Sequence, residues 1–240
     1  MLHFEVAWIY AHYTNVKDKH LNEQYLSVIN QDKWFKNRTQ LFRDKLVKNA
    51  KLITLNAGDA LFLRGDENTG LYCVINGVLR VSGVNSQGKE AVLSFVTGAM
   101  WFGEVALFDG GKRTHDVYAQ TAVRLLHVPE RALTQLLQEH PAYWHDFGLL
   151  LTNKVRNLFD SLEDHALLTA KQKVSKRLCM LFQSSHQSCL PLTQQQLADM
   201  TYLTRQTINQ ILQSLQADSI INLKYQTIEI IDIDKLQSQC

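Results

Sequence analysis

Between Leu52 and His127 the chain is cut into short apolar runs by glycine, and this punctuation constrains the fold more than any other feature. The runs are Leu61-Phe62-Leu63, Leu71-Tyr72-Cys73-Val74-Ile75, Val78-Leu79-Arg80-Val81 and Ala91-Val92-Leu93-Ser94-Phe95. Gly58, Gly65, Gly70, Gly77, Gly83, Gly88 and Gly98 lie between them. Runs this short, rich in β-branched and aromatic side chains, suit strands better than helices. Glycine supplies the positive φ that the intervening turns need. Many short strands at such spacing imply a sandwich, barrel or roll.

Further on the period changes. Pro129 and Pro141 bracket a short helix, and Pro141 is placed to open a longer one. Beyond it Trp144, Phe147, Leu151, Val155, Leu158 and Leu162 recur at three- and four-residue steps, with Asn153, Lys154, Arg156, Asn157 and Asp160 on other faces. That stripe reads as a coiled-coil-like seam between two copies of the chain, with Leu150 and Phe159 turned to the home domain. The competing reading packs the stripe against its own domain. A basic segment follows, Lys171, Lys173, Lys176 and Arg177, and a domain boundary is expected near Leu168.

Leu192-Thr193-Gln194-Gln195-Gln196 carries a capping box, because Thr193 can accept from the N–H of Gln196 while the Gln196 side chain reaches back. Leu197, Ala198 and Met200 give that helix a buried side. After a break at Thr201-Tyr202-Leu203, Thr204 is a second N-cap candidate for a helix from Arg205 to Leu215. Ile208, Ile211, Leu212 and Leu215 face inward there, leaving Arg205, Gln206, Asn209, Gln210 and Gln213 outward. Two short helices about a tight turn form a helix-turn-helix, whose second helix reads base edges in the major groove. Arginine suits guanine and glutamine or asparagine suits adenine, while Thr193, Thr204 and the lysines suit phosphates. From Ala170 to Leu212 the basic residues meet a single acid, Asp199. Ser219–Leu223 and Thr227–Ile231 alternate as two strands around Lys224-Tyr225-Gln226, as a wing does.

A net charge of +2 gives no global field for nucleic acid, so any such contact must be a local patch. Cys73, Cys179, Cys189 and Cys240 lie far apart, with no metal-ligand spacing, which predicts a reduced, cytoplasmic protein without a metal site or catalytic constellation. The apolar opening Met1 to Tyr13 is too short to span a bilayer and lacks a basic flank, so it reads as a packed or partner-contacting segment.

Three blocks resemble the CRP/FNR family of transcription regulators. Leu55–Phe62 with Arg64-Gly65-Asp66, then Val74–Val81, resemble the family's cyclic-nucleotide-binding β-roll. Phe102-Gly103-Glu104-Val105-Ala106-Leu107-Phe108 through Arg113-Thr114 resembles its phosphate-binding cassette, and Thr204-Arg205-Gln206-Thr207-Ile208 the start of its recognition helix. The resemblance implies an α+β fold: an N-terminal extension (1–30), a jelly-roll-like β-roll sensor (31–140), a dimerisation helix (141–168) and a winged helix-turn-helix (169–240). It implies a homodimer, not an enzyme, that binds double-stranded DNA through Thr193, Thr204, Arg205, Gln206, Thr207, Asn209 and Gln210 and usually contacts RNA polymerase. The implied effector is a cyclic nucleotide, cyclic AMP first, held by Gly103, Glu104, Val105, Ala106, Arg113 and Thr114. Chemically, Gly103 lets backbone approach a ligand, Arg113 can fork onto phosphate, Thr114 adds a hydroxyl, and Glu104 can accept from a ribose hydroxyl.

The sequence also departs from the family. The stretch from Glu104 to Arg113 is one residue shorter than in the cyclic AMP-binding archetype, and His115-Asp116 replaces a small and an aromatic residue. Leu158 and Phe159 fall where the adenine contacts would be, Gln206 and Gln210 replace a common glutamate and arginine, and Tyr202 stands where glycine is usual. Two further readings follow: a regulator whose β-roll has lost its ligand, and a cupin-type metal enzyme, for which no HxH pair exists. Iron–sulfur sensing would need clustered N-terminal cysteines, and residues 1–50 contain none.

Overall fold

The computed structural model describes residues 23–67, 70–88, 90–185 and 188–240. The reading of Met1 to Tyr13 lies outside the described residues. Two compact units divide at Val155/Arg156.

In the first unit, α1 (Glu23–Ile29), α2 (Lys33–Lys36) and α3 (Gln40–Lys48) precede the sheets. Asp32 caps α2 by accepting from the Phe35 N–H, and Thr39 caps α3 by accepting from that of Phe42. The strands are β1 (Lys51–Leu55), β2 (Ala60–Phe62), β3 (Gly70–Asn76), β4 (Leu79–Val84), β5 (Glu90–Val96), β6 (Trp101–Phe102), β7 (Asp116–Ala119) and β8 (Val123–Pro129). Among the described residues they form two antiparallel four-stranded sheets, ordered β1-β8-β3-β6 and β2-β7-β4-β5. Helix α4 (Val105–Asp109) follows β6, and α5 (Glu130–Glu139) follows β8.

The continuous apolar run of β3 has a simple cause, since side chains alternate across a strand. Leu71, Cys73 and Ile75 join a helical layer with Trp34, Phe35, Phe42, Leu133, Leu136 and Phe147. Tyr72 and Val74 point the other way, into the core between the sheets with Phe62, Leu79, Phe102 and Leu125. A strand buried on both faces has no polar positions to alternate. Gly83 departs from the turn pattern and lies inside β4. A Cβ there would stand 3.0 Å from Arg64 Nη2, the movable end of an exposed side chain.

The long helix α6 runs Tyr143–Leu167, a length of about 37 Å at the usual rise. It begins two residues after Pro141, because residues 141–144 first make tight turns in which the Tyr143 and Trp144 N–H groups bond to His140 O and Pro141 O. Two residues assigned to its faces need correction. Phe147, expected in the seam, is fully buried in its own domain, with its ring 5.5 Å from Phe42 and 5.9 Å from Trp34. Trp34 Nε1 also donates to Asp146 O at 2.6 Å, and Arg38 pairs with the Asp146 carboxylate, so α2 fastens this turn inward. Phe159, expected to face the home domain, is 66 % exposed. Leu150 is buried as expected, whereas Trp144, Val155, Leu158 and Leu162 are exposed and Leu151 is half-buried.

The second unit holds the last turns of α6, then α7 (Ala170–Ser185), β9 (Cys189–Leu190), α8 (Gln194–Thr201), α9 (Arg205–Ala217), β10 (Ile221–Lys224), β11 (Thr227–Ile230) and α10 (Ile233–Gln237). Lys176 pairs with Asp164 at 2.6 Å and Lys173 donates to His165 O at 2.9 Å, which ties the end of α6 to α7. The core gathers Val174, Leu178, Leu197, Ile208, Leu212, Leu215, Ile221, Ile228 and Leu236. Strand β9, unmarked in the sequence, pairs with β11 and extends the expected hairpin to three strands, ordered β10-β11-β9. Among the described residues no helix is long and apolar enough to cross a membrane.

Candidate effector seat and nucleic-acid interface

In the first unit the end of β6, the start of α4 and the loop before β7 meet at the glycine backbones of 70 and 103. Gly103 has φ +102°, and a Cβ there would lie 2.5 Å from Gly70 O, so no other residue fits without moving backbone. That approach places two carbonyls near the Arg113 guanidinium: Nη1 donates to Gly103 O at 3.4 Å and Nη2 to Gly70 O at 3.3 Å. The Phe62 ring lies 4.2 Å below the guanidinium carbon and the Tyr72 ring 5.3 Å away, giving the cation two aromatic faces. Arg113 is buried, and burial lowers its pKa from the ordinary value against the opposing pull of Tyr72, Glu104 and Asp66. The loop is locked in both directions, by Gly65 N–H to Arg113 O at 2.8 Å and Arg113 N–H to Asp66 O at 2.9 Å.

Glu104, the N-cap residue of α4, is 1 % exposed and accepts from Lys154 Nζ of α6 at 2.6 Å. The sequence reading puts Lys154 on another face of the helix than the apolar stripe. The signal that could have found it is spacing: Phe147, Leu150 and Lys154 lie three and four residues apart and share one side of the helix. Phe62 and Tyr72, also missed, look like ordinary core residues from sequence.

Val105 is exposed and Ala106 buried in the single turn of α4. Thr114 is exposed, with its Oγ1 2.9 Å from His115 Nδ1. Asp116, two residues after Thr114, accepts at its Oδ1 from the Arg64 N–H at 2.7 Å. Arg64 Nε in turn donates to Thr114 O at 2.9 Å. The assembled group, a buried guanidinium, a buried carboxylate and a backbone with no side chain in the way, fits a small ligand carrying both an anionic oxygen and a hydroxyl.

In the second unit both N-caps form as the sequence predicts. Thr193 accepts from the Gln196 N–H at 3.1 Å while the Thr193 N–H donates to Gln196 Oε1 at 2.8 Å, completing the capping box. Thr204 Oγ1 accepts from the Thr207 N–H at 3.1 Å and lies 2.8 Å from Thr207 Oγ1. Between the helices Tyr202 adopts φ +55° and closes α8 by donating its N–H to Ala198 O. The turn therefore keeps the glycine-type shape and carries a side chain in the left-handed region, with the ring edge-on to His165 at 5.8 Å.

Arg205, Gln206, Gln210 and Gln213 are exposed along α9. Asn209, expected outward, is half-buried and accepts from Gln194 Nε2 at 3.1 Å, which bridges α8 to α9. The basic segment behaves differently from expectation too. Lys171 lies 3.8 Å from Asp218, Lys176 pairs with Asp164, and Arg177 is lowered in pKa by burial and donates to Met200 O at 3.3 Å. Asp164 and Asp218 lie just outside the stretch in which the charge was counted. These cations hold helices together, and the exposed polar face of α9 is what the unit presents.

The comparisons agree with this division. The cyclic nucleotide-binding domain family matches residues 52–140 and the Crp-like helix-turn-helix domain family residues 172–239, together more than half of the chain. The cAMP-activated global transcriptional regulator CRP of Haemophilus influenzae is 26 % identical over 181 residues, 72 % of this chain and 81 % of that protein. The CRP-like cAMP-activated global transcriptional regulator of Mycobacterium tuberculosis is 25 % identical over 198 residues, 80 % and 88 % of the two chains. Among solved structures FixK2 of Bradyrhizobium japonicum superposes with a TM-score of 0.71 at 16 % identity, over 79 % of this chain and 96 % of that one, which supports the fold alone. A cyclic nucleotide-binding domain with a buried Glu104–Arg113 seat, followed by a capped helix-turn-helix of the Crp type, places this chain in the CRP/FNR family of DNA-binding transcription regulators.

Proposed function

We propose that the chain acts as a homodimer whose affinity for double-stranded DNA is set by a cyclic nucleotide, cyclic AMP first, held at Gly103, Glu104, Arg113 and Thr114. The observation that carries this reading is the state of Arg113, a buried cation whose hydrogen bonds to Gly70 and Gly103 are long and go to neutral carbonyls. A phosphate oxygen offers the same guanidinium, which also engages Tyr72, a charge-assisted bond about twice as strong as one to a neutral carbonyl. The cyclic phosphate would take Arg113, the ribose hydroxyl would donate to Glu104, and the backbone at Val105 and Ala106 would border the ligand. Both curated relatives described above are named as cAMP-activated.

The seam of exposed Trp144, Val155, Leu158 and Leu162 with half-buried Leu151 is the proposed dimer contact, and Phe159 joins it in place of Phe147. Paired recognition helices would meet half-sites about 34 Å apart. There Arg205, Gln206 and Gln210 would read bases, with Thr193, Thr204, Thr207 and Asn209 bordering the backbone. A coupling of about 1–3 kcal/mol between nucleotide and DNA suffices for regulation.

A second reading, a β-roll that binds DNA without an effector, is favoured by one observation. Glu104 already has Lys154, so its carboxylate is satisfied without a ribose hydroxyl. Calorimetric titration with cyclic AMP and cyclic GMP separates the two readings. One site per subunit, lost in an Arg113→Gln variant that is still folded at the titration temperature, supports the nucleotide reading. Heat with neither nucleotide, together with undiminished operator binding in the same variant, supports the effector-free one.

A further inference from the structure

The second unit brings together two cysteines that stand 61 residues apart in sequence. Cys179 lies on α7 in the core with Leu178 and Leu236, and Cys240 follows α10, the helix that carries Leu236. The two sulfurs are 3.8 Å apart, with Cys179 buried and Cys240 exposed. We propose that Cys179 and Cys240 form a peroxide-responsive dithiol that closes to an intramolecular disulfide, joining α10 covalently to α7 within the DNA-binding unit.

The two remaining thiols have other surroundings. Cys73 is buried in the first unit, where desolvation pushes its pKa well up and keeps it a thiol. Cys189 Sγ lies 3.8 Å from the Glu229 carboxylate, 51 residues of chain from Cys240. Cys240 has the opposite combination, solvent access and a second sulfur within reach. A disulfide needs a separation of about 2.05 Å, so the sulfurs must close by less than 2 Å.

The chemistry balances with one hydroperoxide. The Cys240 thiolate attacks the O–O bond; an S–O bond forms, hydroxide leaves, and Cys240 becomes a sulfenic acid. The Cys179 sulfur then attacks the Cys240 sulfur, the S–O bond breaks, and the departing hydroxide takes the Cys179 proton as water. Two thiols give up two electrons and two protons, and hydrogen peroxide becomes two waters. Burial and the neighbouring Cys240 push the Cys179 thiol up to about 12, so Cys240 reacts first and contact makes Cys179 the resolving partner. The closed loop contains α8, α9 and the wing, so oxidation restrains the unfolded form of the whole DNA-reading segment.

The test uses the full chain, reduced, freed of reductant and treated with hydrogen peroxide or, separately, with diamide. After alkylation and digestion, mass spectrometry should find the Cys179 and Cys240 peptides linked, two hydrogens lighter than their sum. The melting temperature of the second unit should rise by about 10 °C and fall back with dithiothreitol. Cys240→Ser should abolish both effects, and Cys189→Ser should leave them. Four free thiols after both oxidants, a linkage through Cys189, or a cross-link between chains would each overturn the proposal, as would closure with diamide and none with peroxide.

Discussion

The proposed effector seat and the recognition helix are both polar sites, yet the protein treats their polar groups in opposite ways. Arg113 and Glu104 are buried and bonded to the protein itself, through Gly70, Gly103 and Lys154. Arg205, Gln206 and Gln210 project from α9 into solvent. A ligand entering the proposed seat would have to replace bonds already made. A DNA duplex meeting α9 would replace water, and specificity there would come from matching donors and acceptors to base edges. Substitutions in the seat should therefore register in stability as well as binding, whereas those on α9 should register in binding alone.

The sharpest test of that contrast is Gly103→Ala. Its new Cβ would meet Gly70 O at 2.5 Å in a backbone with φ +102°, and we expect about 2–4 kcal/mol of destabilisation by denaturant titration. Gln206→Ala should stay within about 0.5 kcal/mol of the parent. Equal stability for the two variants would break the comparison.

Next comes Lys154→Met, which leaves the Glu104 carboxylate, 1 % exposed, without its ammonium. A loss of about 1–3 kcal/mol is expected, below the cost of a fully buried pair because Lys154 itself is partly solvated. Adding Glu104→Gln should recover part of the loss, and strict additivity in that double-mutant cycle would show that the pair contributes nothing.

On the other side of the contrast, Arg205→Ala should lower discrimination between operator and altered DNA by about 1–3 kcal/mol in fluorescence anisotropy. Its melting temperature should be unchanged. A parallel fall in stability would mean that the side chain supports the helix and does not read bases.

The smallest expected effect is one of pH. His115, beside the seat, has its pKa lowered first by burial and then by Arg64. A histidine harder to protonate when folded contributes its full stability above its free value near 6.5 and loses it as pH falls from there through the folded value. Melting curves at pH 7.5 and 5.5 should show a decline in the first unit that His115→Gln lessens. An identical decline in that variant would assign the effect to other groups.

What the sequence by itself determined follows from local rules. The apolar run of β3, the capping box at Thr193, the second cap at Thr204 and the tight turn at Tyr202 rest on residues within about seven positions of one another. Their geometry hardly depends on the rest of the molecule, so the order of roll, long helix and winged helix-turn-helix was legible. The family resemblance added the identity of Glu104 and Arg113 as a pair, which no periodicity contains.

Only the tertiary structure decided which way α6 faces, because that helix carries apolar residues around most of its circumference. Its inward side was chosen by Trp34, 112 residues from the Asp146 carbonyl it holds, and not by anything local. The same holds for Arg113 on Gly70, 43 residues away, and for Lys154 on Glu104, 50 residues away. Lys171 and Lys176, basic to a count along the chain, are neutralised by Asp218 and Asp164 in space. Charge and burial are properties of neighbourhoods, and a neighbourhood exists only after distant segments have packed.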